Sequence, residues 1–443
     1  MYQCSTLSVP LDYAKPDAKT IGIAVIRQAA SDSHAGSLII NPGGPGASGV
    51  EFVATSASIF SQLTQHYDLV SFDPRGVGAS APIRCVTSQQ LDTFVNTNPV
   101  PSTPAERALL VRQARTMADG CAAKNGDYLS HVSTIDEARD MDVLRAALGD
   151  KALTYYGASY GTYLGAKYAQ LFPTRIRAMV LDGALNPNES LSQGNLIQAK
   201  GFQVDLDDFL AACVQSGSCP LGSTEADAHA GLEALKAQIT AHPEKTVTGR
   251  VMGPGEFFEG LAAGLYSPDS WKDLWTVLGA VKQGNPAGLF LFADALTERH
   301  SDGSYSNLIE SNLAINCVDR PAPHKVSTYV RLAAKFAQQA PDFGAAIEYG
   351  SLPCAFWHVP PVEKTHPVSA PGAPPILVIG TTRDPATPYV WAQALARQLK
   401  SAVLLTYDGD GHTAYIRHDS CVDDVVKSYV EDLQTPAAGT KCG

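Results

Sequence analysis

An α/β fold, with a mostly parallel sheet, helices on both faces and a large, mainly helical insertion, is what the sequence predicts on three observations. Short apolar stretches alternate with helical ones from residue 20 to 185, the pattern turns chiefly helical from about 188 to 370, and sheet-like stretches resume after the Pro-rich return HPVSAPGAPP at 366–375. Buried parallel strands carry near-continuous apolar runs because both of their faces are covered. The expected organisation is a sheet-bearing core over 1–187, a helical cap over 188–370 and the remainder of the core over 371–443.

In chain order, TIGIAVIRQA (20–29) alternates as a strand, and GSLIINPGGPG (36–46) is an apolar strand running into a Gly/Pro loop. YDLVSFDPRGVGAS (67–80) repeats that plan. In TIDEARDMDVLRAALG (134–149), Ile135, Ala138, Met141, Leu144 and Leu148 recur at helical spacing, with Thr134 as N-cap and Gly149 at the C-terminal end. Strand ALTYYG (152–157), a helix over 160–171 and strand IRAMVLDGAL (176–185) follow. Within the insertion DLDDFLAACV, ADAHAGLEALKAQI and VSTYVRLAAKFAQQ are amphipathic helices. ILVIGTTRDPATP and AVLLTYDGDGH are strands opening into loops, and a last helix lies near 422–433.

The chain has 443 residues, 45% hydrophobic and 17% charged, and no apolar run approaches the roughly 18 residues of a membrane span. Its formal net charge of −11 and lack of a Lys/Arg cluster argue against a nucleic-acid partner. Nine cysteines occur without a CxxC pair or a His/Cys grouping at zinc spacing, so disulfides are expected and a metal is not. Proximity pairs Cys85 with Cys121, Cys213 with Cys219, Cys317 with Cys354 and Cys421 with Cys442. The opening MYQCSTLSVP has neither a basic n-region nor an apolar h-region, so an export signal is expected to have been removed and Cys4 to have lost a partner upstream.

Gly157-Ala158-Ser159-Tyr160-Gly161 matches G-x-S-x-G between a strand and a helix, where two glycines permit a tight turn that projects a serine hydroxyl. A serine hydroxyl needs a base to take its proton, and the base needs an orienting carboxylate. His412 stands in DGDGHTAY after one apolar strand, and Asp384 in TTRDPATP after the preceding one. Asp408 and Asp410 are rival acids, but they share His412's own short loop, so Asp384 is preferred. NPGGPG (41–46) supplies a glycine loop for an oxyanion; with Pro42 and Pro45 lacking N–H groups, the donors are the amides of Gly44 and Tyr160. No cofactor is required by this chemistry. FDPRGVGAS lacks the lysine and spacing of a phosphate loop, and its Asp73 and Arg75 are expected to form a structural ion pair.

NPGGPGASG, FDPRGVGAS, YYGASYGTYLGAKYAQLFP, RDPATP and GHTAY occur in that order, and the whole pattern resembles the tripeptidyl aminopeptidase family of exported actinobacterial α/β-hydrolases. That family is related to the proline iminopeptidases, whose HGGPG loop corresponds to residues 42–46, with Pro42 in place of the histidine. The resemblance implies an α/β-hydrolase fold, Ser159 as nucleophile, Asp384 as acid, His412 as base, a helical cap and extracellular release of short peptides, tripeptides foremost, from free N-termini. A substrate ammonium then calls for a carboxylate partner in the cap. In NLIESNLAINCVDRP (307–321), Glu310 and Asp319 flank Cys317 and are the first candidates; Glu256 and Glu259 in GEFFEG come second. The partners expected are peptides, with the protein a monomer. A carboxylesterase or thioesterase on the same scaffold is the alternative, and a binding protein without chemistry is disfavoured because all three triad members are present.

Overall fold

The computed structural model describes residues 2–246 and 249–443. The strands are β1 (Tyr2–Pro10), β2 (Thr20–Gln28), β3 (Gly36–Asn41), β4 (Tyr67–Phe72), β5 (Leu153–Ala158), β6 (Ile176–Asp182), β7 (Glu244–Lys245), β8 (Val251–Met252), β9 (Ile376–Arg383), β10 (Ala402–Asp410) and β11 (Lys441–Cys442). Nine of them form one sheet in the order β1-β2-β4-β3-β5-β6-β9-β10-β11, and β7 pairs β8 within the insertion. β1–β2 and β2–β4 are antiparallel, and the other pairings of the large sheet are parallel. β5 stands at the centre, so the loop after it opens in the middle of the sheet's C-terminal edge.

Consecutive residues of the central strands point to opposite faces, as a two-residue period requires. Ile39, Val70, Tyr155 and Val378 pack on one side against α4 (Thr134–Ala147), α5 (Tyr160–Leu171) and α14 (Tyr389–Gln398). Ile40, Leu69, Tyr156 and Ile379 pack on the other against α1 (Gly49–Ser56) and α15 (Ser420–Asp432). α4 is capped by Ser133, whose side chain accepts from Asp136 N, so the cap lies one residue before the expected Thr134. The loop after β4 also departs from expectation. Arg75 is buried and pairs with Asp140 (Nε–Oδ2 2.7 Å, Nη2–Oδ1 2.7 Å), while Asp73 accepts from Ser48 Oγ at 2.6 Å and Ala79 N at 2.8 Å. Both are structural, but not as partners of one another.

Between β6 and β9 the chain forms α6 (Leu191–Gln215), α7 (Glu225–Ala241), α8 (Pro254–Leu265), α9 (Trp271–Lys282) and α10 (Ala287–Thr297), packed around Phe202, Leu206, Phe209, Leu232, Leu261 and Leu278. Then come α11 (Leu308–Asp319), α12 (Val326–Ala337) and α13 (Gly344–Gly350). A second segment joins these helices. α2 (Ser88–Asn96) and α3 (Pro104–Asn125) precede α4 in the chain, yet Leu91, Val95 and Met117 share a core with Tyr305, Leu313 and Val318 of the insertion rather than with the sheet. Disulfides join Cys85 to Cys121, Cys213 to Cys219, Cys317 to Cys354 and Cys421 to Cys442; Cys4 is free and exposed. No helix of the described residues is long and apolar enough to cross a membrane.

Candidate active site

Ser159 occupies the junction between β5 and α5 with φ 53° and ψ −122°, a backbone conformation that a side chain other than glycine rarely adopts. Its surroundings enforce the turn. A Cβ at Gly157 would lie 2.4 Å from the Gly161 carbonyl oxygen, and one at Gly161 would lie 2.7 Å from that of Asn41. The Ser159 amide donates to the Asp182 carbonyl at 2.9 Å, pinning the turn to the neighbouring strand. Its hydroxyl has no hydrogen-bond partner among the described residues, His412 included, and borders a cavity of about 260 Å³.

Asp384 follows β9 and is buried. Its carboxylate accepts from Ala386 N (3.0 Å), Thr387 N (2.8 Å), Thr387 Oγ1 (2.9 Å) and Thr413 N (3.2 Å), and it faces His412 Nδ1 at 2.9 and 3.1 Å. The imidazole follows β10, its amide donating to Tyr266 O at 2.8 Å and its ring standing edge-on to the Tyr266 ring at 5.4 Å. With Nδ1 engaged by a carboxylate, Nε2 is the ring position left to receive a proton. The rivals Asp408 and Asp410 are taken by Arg383, at 3.1 and 2.5 Å.

One residue that the sequence reading passed over ties these loops together. Asp182 ends β6, and its carbonyl holds the Ser159 amide, while its fully buried carboxylate accepts from Ala414 N (3.0 Å), Tyr415 N (2.9 Å) and Tyr156 Oη (2.9 Å). The strand end that sets Ser159 therefore also sets the loop beyond His412. Burial raises the Asp182 pKa despite those donors. The next residue, Gly183, has φ +70°, and a Cβ there would sit 3.2 Å from His412 Cε1, so a side chain would press on the imidazole.

The glycine loop lies against the elbow. A Cβ at Gly43 would be 2.9 Å from Ser159 Cβ and 3.1 Å from Tyr160 N, and Gly43 N is held by Asn41 Oδ1 at 3.0 Å. The amides of Gly44 and Tyr160 form no hydrogen bond among the described residues, and Gly44 borders the cavity beside Ser159. Two free N–H groups near one hydroxyl are the arrangement an oxyanion needs.

Neither first-choice cap acid reaches this cavity. Glu310 is fully buried, accepting from the amides of Cys85 and Val86, the latter at 3.0 Å. Asp319 accepts from Thr134 N at 2.8 Å and from the Thr134 hydroxyl, and burial holds its pKa up at about 6. The helix that carries them does border the cleft, but with another face: Asn312, Asn316 and Arg320 line the Ser159 cavity. Gln198, Tyr266, Asn312 and Leu313 also border a second cavity, of about 420 Å³, so the two are neighbours that share these walls. Glu259 lines this larger one among Phe94, Phe258, Leu308 and Ile309. Its carboxylate has no hydrogen-bond or ion-pair partner among the described residues, whereas Glu256 is engaged by Arg250 at 3.2 Å. Burial first, and the charge of Glu256 second, push the Glu259 pKa up to about 7. Among the described residues, the one grouping with metal-like ligand spacing is Asp419 with Cys421 and Cys442, and its two sulfurs are joined in a disulfide.

A family model for TAP-like proteins matches residues 339–442, the stretch that holds Asp384 and His412. Serine protease Hip1 of Mycobacterium tuberculosis (strain ATCC 25618 / H37Rv) is 38% identical over 452 residues, covering 99% of this chain and 87% of that protein. Carboxylesterase B of the same strain is 39% identical over 448 residues, covering 99% and 86%. Tripeptidyl aminopeptidase of Streptomyces lividans is 34% identical over 453 residues, covering 99% and 83%. With full-length similarity at this level, the chain belongs to the tripeptidyl-aminopeptidase-like family of α/β-hydrolases.

Proposed function

We propose that this hydrolase is an exported serine exopeptidase that releases short peptides, tripeptides foremost, from free N-termini. Ser159 Oγ attacks the scissile carbonyl while His412 Nε2 takes its proton, and Asp384 keeps the ring oriented and stabilises the imidazolium. The Gly44 and Tyr160 amides receive the oxyanion. Collapse passes the His412 proton to the departing amine and leaves an acyl-Ser159, which water, deprotonated by the same imidazole, hydrolyses. The observation that carries the exopeptidase reading is Glu259, a carboxylate without a hydrogen-bond or ion-pair partner among the described residues, in the wall of a mainly apolar cavity that neighbours the Ser159 cavity and shares lining residues with it. A substrate ammonium fits that position and would relieve the cost of the buried charge. Four disulfides support export to an oxidising compartment.

The second reading is a carboxylesterase, favoured by the relative of that name. Aminoacyl, dipeptidyl and tripeptidyl anilides, each with and without an N-terminal acetyl group, separate the two by kcat/KM. The free tripeptidyl anilide is expected to be the best substrate, with acetylation costing tenfold or more. Equal turnover of free and acetylated substrates, with simple esters preferred to both, overturns the exopeptidase reading.

A further inference from the structure

Asn312, Asn316 and Arg320 are spaced four residues apart along α11 and just past its end, so they share one helix face, and all three border the Ser159 cavity. They are joined in a chain. Asn312 Nδ2 donates to Pro45 O at 3.0 Å, Asn316 Nδ2 donates to Asn312 Oδ1 at 3.0 Å, and Arg320 Nη2 donates to Asn316 Oδ1. The guanidinium, which also stands over the Tyr163 ring at 6.0 Å, is thus fixed by a neutral amide and an aromatic ring and not by an acid.

No carboxylate of the described residues lies within ion-pair distance of Arg320, although three other arginines of the cap region find one: Arg250 at Asp294, Arg299 at Asp92 and Arg84 at Glu310. The acids whose charge Arg320 feels, Asp319 and Glu189, are hydrogen-bonded elsewhere, to Thr134 and to Trp391 and Asn186. On α6 the position facing Nη1 is Gly194, where even a Cβ would stay 3.5 Å away, so that face of the guanidinium is not covered by a side chain there. A planar fork of donors with one in use is the group that takes a carboxylate through paired hydrogen bonds.

Its place in the cleft gives the carboxylate a position. Ser159 and Arg320 line the smaller cavity, and Glu259 lines only the larger one. A peptide with its ammonium at Glu259 and its scissile carbonyl at Ser159 has the Arg320 compartment left for its departing residues. We infer that Arg320 is a carboxylate-binding subsite for the leaving segment, which selects substrates with an anionic group close after the scissile bond: the α-carboxylate of a peptide little longer than the released fragment, or an acidic side chain. This rests on the exopeptidase reading.

A cation just past a helix C-terminus also complements the helix dipole, so the test must read selectivity and not only activity. Tripeptidyl amides of 4-aminobenzoic acid and of 4-aminobenzamide have leaving groups of the same size that differ in charge. The wild type is expected to favour the carboxylate about tenfold to a hundredfold in kcat/KM, the range for a hydrogen bond to a charged group. Arg320→Gln brings the ratio near one, and Arg320→Lys keeps it in between. A ratio that Arg320→Gln leaves unchanged, with both substrates slowed alike, identifies a purely structural arginine and overturns the proposal, as does a wild-type ratio of one. Two further pairs distinguish the sources: a tetrapeptide acid against its amide, and amidated tetrapeptides ending in Asp against Asn. Preference in either pair supports the subsite, and preference in neither overturns it. If the wild type cleaves esters but no tripeptidyl amide, the exopeptidase reading falls and this subsite with it; cleavage without charge preference removes the subsite alone.

Discussion

The loops at the C-terminal edge of the sheet and the wall that the helical insertion builds beside them border one cleft, yet they treat polar groups in opposite ways. At the sheet edge the carboxylates are committed in advance: Asp384 accepts four hydrogen bonds besides facing His412, and Asp182 holds both the Ser159 amide and the loop after the imidazole. Along the wall, among the described residues, Glu259 has no hydrogen-bond or ion-pair partner, and Arg320 has one amide and the Tyr163 ring. Such an edge reorganises little during a reaction, which is where electrostatic catalysis gains most. If, as proposed, the wall binds the substrate, the desolvation of its charges is offset only when a substrate arrives, and it discriminates among substrates.

The largest effects should come from breaking the committed edge. Ser159→Ala is expected to lower kcat by about 10⁴-fold or more, with Asp384→Asn and His412→Ala of similar order, because triad members act as a unit. The serine change should leave the melting temperature nearly unmoved, since its hydroxyl has no hydrogen-bond partner among the described residues. Steady-state kinetics and thermal denaturation check both, and a serine-directed phosphonate should label wild type and not Ser159→Ala. Labelling of the variant would send the search for the nucleophile elsewhere.

Next in size is Asp182, where structure and chemistry meet. Asp182→Ala leaves two backbone N–H groups and the Tyr156 hydroxyl buried without an acceptor, at roughly 1–3 kcal/mol each, so a fall of several degrees in Tm is expected. Displacement of the 412–415 loop should also cost about a hundredfold in kcat, whereas Asp182→Asn, which keeps one acceptor oxygen, should lose less of both. A variant as stable and as active as wild type would show that the two loops are held independently.

The same contrast governs what was legible in the sequence. The elbow, the glycine loop and the loops with Asp384 and His412 could be found because each depends on local chain chemistry: a turn only glycine permits, or a polar residue just after an apolar strand. The wall depends on which face a helix turns inward, and that is decided by tertiary packing. The stretch 307–321 is singled out in the sequence for its acids, but Glu310 and Asp319 satisfy buried donors on Cys85, Val86 and Thr134, while Asn312, Asn316 and Arg320 line the cleft. Helical spacing groups 312, 316 and 320, so the pattern was present, but nothing local ranks that face above its opposite. β1 escaped for a different reason. YQCSTLSVP is an edge strand exposed over most of its length, and it carries little of the apolar signal that marks the buried strands. The packing of α2 and α3 on the insertion rather than the sheet is likewise a long-range fact, and the link between Cys85 and Cys121, internal to that segment, gives no sign of it.

The smallest expected effect is also the sharpest test of the wall. Glu259 has its pKa raised to about 7, so its carboxyl is neutral in acid and becomes a carboxylate through neutrality. If that carboxylate pairs with the substrate ammonium, the kcat/KM ratio of free to acetylated tripeptidyl anilide should be small below pH 6, climb through about pH 7 and fall again as the substrate α-ammonium loses its proton at about pH 8. Protonation of the triad affects both substrates alike and cancels in the ratio. Glu259→Gln should flatten the rise through pH 7 and lower the maximum about tenfold to a hundredfold, the scale of one hydrogen bond to a charged group. Stability supplies an independent check with a definite sign. A carboxyl whose folded pKa lies above its unfolded one favours the fold in acid and loses that contribution as pH rises through the folded value, so wild type carries a poorly solvated charge at pH 8. Glu259→Gln is therefore expected to raise Tm at pH 8 and to leave it nearly unchanged at pH 5. A variant that gains stability in base while keeping the pH-dependent preference for free N-termini would mean that another group holds the ammonium, and that Glu259 is strained for a different purpose.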